Sequence, residues 1–223
     1  MQKEESRPLY VGFASQKGGV GKSSLAEVLA GVLYYERGLP LLVVDCDHTQ
    51  ESFFKLRERE RDLIESDAKL QAEMQAYFTQ FGKPSYPILR SQPEEALALV
   101  SEYLPKQGRG EQLVIFDFPG HASTESLLRF SVEMDFILSP IEADPQSLAS
   151  SFAYARTIRD LGLGFEDARI EDFFLLWNKI NRSASTAVQD AFTAYAKEEG
   201  LSVLDSQIYH SVKIARELRQ AGS

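Results

Sequence analysis

Residues 9–25, LYVGFASQKGGVGKSSL, place a short apolar run directly before a glycine-rich loop and a polar helix start. The apolar run predicts a buried strand, and residues 22–36 predict a helix with Leu25, Val28 and Leu29 on one side. A glycine-rich turn between a strand and a helix lets backbone N–H groups wrap around phosphate groups. The stretch therefore predicts a phosphate-binding loop.

The residue types in this loop have separate chemical tasks. Gly18, Gly19 and Gly21 let the backbone approach the β- and γ-phosphates closely. The Lys22 ammonium neutralises phosphate charge, and the Ser23 hydroxyl is a suitable ligand for Mg²⁺. The predicted nucleotide-binding residues are Gly18, Gly19, Val20, Gly21, Lys22, Ser23, Ser24 and, much further along the chain, Asn178. The loop therefore predicts that a nucleotide is bound together with Mg²⁺.

Apolar runs rich in β-branched and aromatic residues recur along the chain and alternate with longer amphipathic stretches. The predicted strands cover residues 9–14, 39–45, 86–89, 113–118, 136–140, 173–178 and 201–204. Runs without polar alternation suit strands that are covered on both faces, so we expect a mainly parallel, doubly wound α/β sheet of about seven strands with helices on both faces. The 223 residues show no break in composition, and we expect a single domain over residues 1–223.

A charged segment interrupts this alternation. Residues 51–81 contain neither Gly nor Pro, and their apolar residues recur at helical spacing, which predicts one long helix or two. The portion KLRERERDLIESDAK fits a solvated helix face with ion pairs three or four residues apart. The alternative is an arm that binds a partner.

Composition excludes several classes of protein. The chain has 24 Lys and Arg against 33 Asp and Glu, a net charge of −9, which opposes a surface coated for nucleic acid but leaves a local basic patch open. Cys46 is the only cysteine, so an intrachain disulfide and a multi-cysteine metal site are excluded. The first ten residues lack the apolar core of a secretory signal, and no run reaches the roughly 18 apolar residues of a membrane-spanning helix. We therefore expect a cytoplasmic protein without membrane attachment.

The loop departs from the common pattern G-x-x-x-x-G-K-[ST], because Gln16 stands where the first glycine would fall. KGGVGKS instead resembles the deviant Walker A motif of the ParA/MinD family of ATPases, also called the SIMIBI class, and the similarity to ParA-like members extends through nearly the whole chain. The resemblance implies that Lys17 reaches across an ATP-held homodimer to the partner's phosphates, like an arginine finger supplied in trans. Lys17 and Lys22 are then both catalytic. The alternative for Lys17 is a solvated loop lysine.

Three carboxylates follow predicted strands. LLVVDCDHTQES contains Asp45 and Asp47, and LVIFDFPG contains Asp117. Carboxylates at strand ends can hold Mg²⁺ or orient the attacking water, although they are also common in turns. By resemblance, Asp47 is catalytic and orients the water, while Ser23, Asp45 and Asp117 form the metal site. His48 replaces the usual proline of the first switch, and DFPG differs from the family's D-x-P-P or D-x-P-A, which leaves the switch geometry open.

Further along the chain, Asn178 ends the sixth predicted strand. Its amide has a donor and an acceptor suited to the adenine edge, and a capping role is the alternative. SPIEADPQSLASS, residues 139–151, resembles the family's loop after the fifth strand, which the resemblance places near the dimer interface and the nucleotide. ParA-type members that bind chromosomal DNA use scattered basic residues, which bind phosphates independently of the base sequence. Non-specific DNA is therefore a candidate partner. The basic candidates are Lys179, Arg182, Lys213, Arg216 and Arg219.

The resemblance implies an ATP-binding, slowly hydrolysing dimeric switch that acts in the partitioning, positioning or transfer of a DNA element or other cargo, with a protein that stimulates it or links it to cargo. The charged segment and DFPG also resemble the ParA-like TraA proteins of conjugative transposons. Two alternatives stay open. One is a small-molecule ligase similar to dethiobiotin synthetase, and the other is an adaptor that uses nucleotide only to dimerise.

Overall fold

The computed structural model describes residues 7–47, 52–82, 84–107, 110–120 and 124–210. Within these ranges one sheet contains β1 (Leu9–Phe13), β2 (Leu41–Asp45), β3 (Ile88–Arg90), β4 (Leu113–Asp117), β5 (Phe136–Ile141), β6 (Asp172–Ile180) and β7 (Ser202–Tyr209). The strand order is β3-β2-β4-β1-β5-β6-β7, and all neighbouring strands are parallel. Each predicted strand overlaps one of these strands, so the predicted parallel sheet of seven strands is confirmed.

Helices cover both faces of the sheet, as predicted. In the described ranges they are α1 (Lys22–Gly31), α2 (Ser52–Ser66), α3 (Ala68–Phe81), α4 (Pro93–Gln107), α5 (Glu125–Val132), α6 (Pro145–Gly164) and α7 (Ala187–Glu198), and a π-helical turn (Val32–Glu36) continues α1. None of the helices described is long and apolar enough to cross a membrane.

Two apolar cores lie on opposite faces of the sheet, because alternate residues of a strand point to opposite sides. Leu42 and Val44 of β2 belong to the core that α4, α5, α6 and α7 cover. Leu41 and Val43 belong to the core beneath α1 and α2. All four side chains are buried, which accounts for the continuous apolar run in the sequence.

The charged segment forms two helices. Asp67 separates them, since its extended backbone ends α2 and its carboxylate accepts hydrogen bonds from the N–H groups of Lys69 and Leu70 at the start of α3. Exposed ion pairs such as Lys69–Glu73 lie along the helix surface, in agreement with a solvated face. The aromatic ring of Tyr35 packs against three rings of α3, those of Tyr77, Phe78 and Phe81.

The sheet topology determines where a ligand can bind. β1 lies between β4 and β5, so the chain proceeds to one side of β1 through β2 and β3 and later to the other side through β6 and β7. In open parallel sheets the crevice at such a reversal, beyond the carboxyl ends of the strands, is the usual ligand site. The strand register also places Asp45 beside Asp117, and Asp117 beside Phe13, which ends the strand before the glycine-rich loop.

Candidate nucleotide-binding site

The glycine-rich loop connects β1 to the first residue of α1, as predicted. Gly19 and Gly21 have φ angles of 75° and 96°, in the left-handed region that favours glycine. A Cβ atom at Gly21 would lie 2.6 Å from the side-chain nitrogen of Asn178, so the loop also needs glycine there for space. The first N–H groups of α1 follow directly and supply positive potential at the loop.

Lys22 lies at the centre of this site. Only 7% of it is exposed, and burial lowers the pKa of its ammonium, whereas the negative charges of Asp117 and Asp47 raise it. The turn after β4 also closes on the loop, because a Cβ atom at Gly120 would lie 4.0 Å from the Lys22 nitrogen and 3.9 Å from the Cα of Gly18. The structure therefore brings together Lys22 and the carboxylates predicted to act with it.

Asp117 at the end of β4 is fully buried, and neither of its side-chain oxygens makes a hydrogen bond of good geometry with another described residue. Burial raises the pKa of Asp117 to about 7, while the nearby Ser23 hydroxyl and Lys22 ammonium oppose this rise. A buried carboxylate with unused oxygens beside a serine hydroxyl fits Mg²⁺, which needs only one or two protein ligands when phosphates and water supply the others. No group of three or more His, Cys, Asp or Glu side chains gathers around a possible metal position in the described ranges.

Asp45 makes contacts that the sequence did not predict. Its Oδ1 accepts a hydrogen bond from the Asp47 N–H at 3.1 Å, and its Oδ2 accepts from the N–H groups of Phe53 and Phe54 at 3.1 and 3.2 Å. Burial raises the pKa of Asp45, and these backbone bonds lower it. Asp45 thus ties the start of α2 to the end of β2. Its metal role and the water-orienting role of Asp47, which is also buried, stay predictions.

Lys17 lies at the outer edge of the loop and is held by its own chain. Its ammonium is 2.6 Å from an oxygen of Asp144, and both side chains are 41% exposed. The hydrogen bond from Lys17 lowers the pKa of Asp144, and Asp144 in turn raises the pKa of Lys17. Asp144 also caps α6, accepting hydrogen bonds from the N–H groups of Gln146 and Ser147. The resemblance placed residues 139–151 near the nucleotide but did not single out Asp144 as a partner of Lys17, although Asp before Pro is a typical helix start.

Two consecutive residues of β6 contact the back of the loop. The Asn178 side chain donates a hydrogen bond to the Val20 carbonyl at 2.7 Å, and its oxygen accepts one from the Lys179 N–H. The Lys179 ammonium contacts the Gly19 carbonyl and, at 2.8 Å, Glu142. The adenine contact of Asn178 stays a prediction. Glu142 belongs to the stretch 139–151 that the resemblance placed near the nucleotide, but its contact with Lys179 and the contact of Lys179 with the loop were not predicted.

The remaining residues that the sequence analysis considered have other contacts or lie outside the described ranges. Arg182 lies over the ring of Tyr209, 4.5 Å from its centroid. Cys46 is buried, and burial raises its pKa well above the ordinary value, as expected for an unreactive thiol. The predicted residues outside the described ranges are His48, Lys213, Arg216 and Arg219.

A parallel sheet whose first strand leads into a glycine-rich loop with a buried lysine defines a phosphate-loop nucleotide-binding protein. Residues 11–221 match the CobQ/CobB/MinD/ParA nucleotide binding domain family (CbiA), and the chain belongs to that family. This match confirms the ParA/MinD resemblance on which the prediction of an ATPase was based. Comparison with curated proteins gave no significant match.

Solved structures share the fold at low sequence identity. A plasmid partition protein from Borrelia burgdorferi is 17% identical with a TM-score of 0.62, and the alignment covers 97% of this chain and 96% of that protein. The ParA of pNOB8 bound to nonspecific DNA is 14% identical with a TM-score of 0.58, covering 92% and 86%. Cobyrinic acid a,c-diamide synthase from Mycobacterium smegmatis, with bound ADP and magnesium, is 19% identical with a TM-score of 0.60, covering 92% and 88%.

Proposed function

We propose that this chain is a Mg²⁺-dependent ATPase switch of the ParA type, which closes as a homodimer on ATP, hydrolyses it slowly and opens with ADP. The observation that carries the proposal is the placement of the two loop lysines. Lys22 is buried inside the loop, whereas Lys17 is 41% exposed at its edge. In the proposed dimer, the buried Lys22 would bind the nucleotide of its own chain, and the exposed Lys17 would reach the nucleotide of a second copy.

The described side chains divide the chemistry between them. Lys22 and the loop N–H groups would bind the β- and γ-phosphates, and Ser23 with Asp117 would hold Mg²⁺. When bound, Mg²⁺ neutralises charge on the phosphates during transfer. Asp47 would orient the attacking water, since it follows β2 and is close enough to Lys22 to affect its pKa. Asp45 would keep Asp47 and the start of α2 in place through its three backbone hydrogen bonds.

Dimer closure would require Lys17 to exchange partners. In the single chain its partner is Asp144, and a pair as exposed as this one is screened by water and easily replaced. The triphosphate of a second copy carries more negative charge than one carboxylate, so it competes well for the ammonium. Release of Lys17 also leaves Asp144 as the cap of α6, so the helix start need not change.

Analytical ultracentrifugation with ATP and Mg²⁺ tests this proposal. We expect Asp47→Ala to form a long-lived ATP-held dimer because hydrolysis stalls, whereas Lys17→Ala dimerises weakly or unproductively. Lys106→Ala is the matched control, since this exposed lysine of α4 pairs only with Glu102 among the described residues. Monomers of every variant under all conditions would refute the switch.

The cargo is proposed to be a DNA element. The fold similarity to a plasmid partition protein and to a ParA bound to nonspecific DNA supports this choice, as does the narrower resemblance to the TraA proteins of conjugative transposons. A protein that stimulates hydrolysis or links the cargo would complete the cycle. Phosphate release should then rise with DNA or with that protein. Stimulation by a small carboxylate or amine metabolite would instead indicate a ligase, and dimers without turnover would indicate an adaptor.

A further inference from the structure

Lys179 has an unusual backbone conformation. Its φ angle is 55°, and it is the one residue other than glycine with a positive φ in the part of the chain that the structure describes. It lies within β6, where an extended conformation is expected. A long side chain in the left-handed region is strained, and such strain persists only where surrounding contacts hold it. The contacts of Lys179 should therefore show which interactions the strained backbone conformation allows.

The strained conformation lets two neighbouring side chains reach the same loop. In a regular strand, residues 178 and 179 would point to opposite faces of the sheet. Here Asn178 donates to the Val20 carbonyl at 2.7 Å, and the Lys179 ammonium contacts the Gly19 carbonyl. Consecutive residues of β6 thus bind consecutive carbonyls of the loop. Glu142 accepts a second hydrogen bond from the Lys179 ammonium at 2.8 Å and holds it in place.

A loop that binds phosphates needs this kind of support. Its N–H groups can point inward at an anion only if its carbonyls point away, and carbonyls need hydrogen-bond partners. The three glycines have no Cβ atoms to restrict the backbone, so the loop loses much conformational freedom when it becomes ordered. Contacts that order the loop beforehand reduce the entropy lost when nucleotide binds.

We propose that Lys179 is a positioning residue of the phosphate loop: anchored by Glu142 and assisted by Asn178, it holds the loop in its anion-binding shape before nucleotide arrives. It touches the loop backbone, not the reacting atoms. The inference deepens the proposed function and rests on it only for the identity of the nucleotide.

Two substitutions separate this role from a role in folding. Lys179→Gly removes the ammonium and relieves the left-handed strain, so this variant is expected to fold at least as well as the wild type. Lys179→Met removes the ammonium but keeps the strain. Lys69→Met is the matched control, since Lys69 is an exposed lysine of α3 paired with Glu73.

The first readout needs no nucleotide. Backbone ¹⁵N order parameters of Gly18, Gly19 and Gly21 should be near 0.85 in the wild type and in Lys69→Met, and below about 0.6 in both Lys179 variants, with the sheet unchanged. The second readout is calorimetric affinity for ADP, which should fall about tenfold in both Lys179 variants, because ADP binding must then order a mobile loop. Glu142→Gln should show a smaller loss, because the contact between Lys179 and the Gly19 carbonyl remains.

The two measurements distinguish failure of the positioning role from failure of the proposed function. A Lys179→Gly protein with a rigid loop and wild-type ADP affinity would overturn the positioning role. A wild type that binds neither ADP nor ATP, with a loop that still becomes mobile in Lys179→Gly, would keep the positioning role and refute the proposed function. If Lys179→Met does not fold, Lys179→Gly alone decides the matter.

Discussion

Replacing Asp117 by Asn should stabilise the nucleotide-free protein while removing a proposed ligand of Mg²⁺. Burial raises the pKa of Asp117 from 3.8 to about 7. Each factor of ten in an acid dissociation constant corresponds to about 1.4 kcal/mol, so the buried, ionised carboxylate lowers the free energy of unfolding by about 4 kcal/mol above pH 7. The neutral amide of Asn avoids most of this loss. A carboxylate kept at such a cost is typical of a functional site.

The sign of the pH dependence follows from proton binding. Between pH 4 and about pH 7 the native protein keeps the Asp117 proton that the unfolded chain has lost, so the contribution of Asp117 to stability falls as pH rises through this range. Urea unfolding of both proteins without nucleotide or metal measures the effect. We expect Asp117→Asn to be the more stable protein at pH 8, with a difference that narrows by about 2–3 kcal/mol at pH 5.

Glu27→Gln is the control for this experiment. Burial also raises the pKa of Glu27 to about 7, with a contribution from Glu60, yet Glu27 lies on the α1 side facing α2 and not among the predicted metal ligands. Its substitution should change the pH dependence of stability but leave stabilisation by Mg²⁺ and ATP intact, whereas Asp117→Asn should lose that stabilisation. A difference between Asp117→Asn and the wild type that is equal at pH 5 and pH 8 would refute the argument from burial.

Three further substitutions test separate parts of the structure. Gly21→Ala should lower the free energy of unfolding by at least about 1–2 kcal/mol and weaken ADP binding, because the backbone is left-handed at this position and the new methyl group would clash with Asn178. Full ADP affinity in calorimetry would contradict this prediction. Tyr154→Phe removes the buried hydrogen bond to Ser131, which is 2.8 Å long. In thermal unfolding this change should lower the free energy of unfolding by about 1–2 kcal/mol and leave the ADP affinity unchanged. Any loss of ADP affinity would count against a purely structural role of Tyr154. Asp144→Asn keeps a cap on α6 but removes the negative charge that holds Lys17. Dimers held by ATP should therefore form at lower protein concentration in ultracentrifugation. Weaker dimerisation would argue that the pair of Lys17 and Asp144 assists closure.

The charged segment shows where sequence patterns became ambiguous. Its helical spacing predicted helices over residues 51–81, and helices cover Ser52–Ser66 and Ala68–Phe81. The break at Asp67 was left open because spacing alone does not distinguish a continuous helix from two that share an apolar side. Asp67 is itself a good N-cap, so attention to capping residues would have located the boundary.

The parallel sheet, the phosphate loop and the likeness to ParA/MinD proteins could be predicted from the sequence, because they depend on signals within short stretches: apolar runs, glycine spacing and a lysine at a helix start. The side chains that support the loop became known only from the three-dimensional fold. Lys17 meets Asp144 across 127 positions of sequence, and Asn178 meets Val20 across 158. The strained Lys179 and the backbone contacts of Asp45 likewise depend on where β5, β6 and α2 lie beside the loop. No local pattern encodes such contacts, since they arise when strands distant in sequence become neighbours in one sheet.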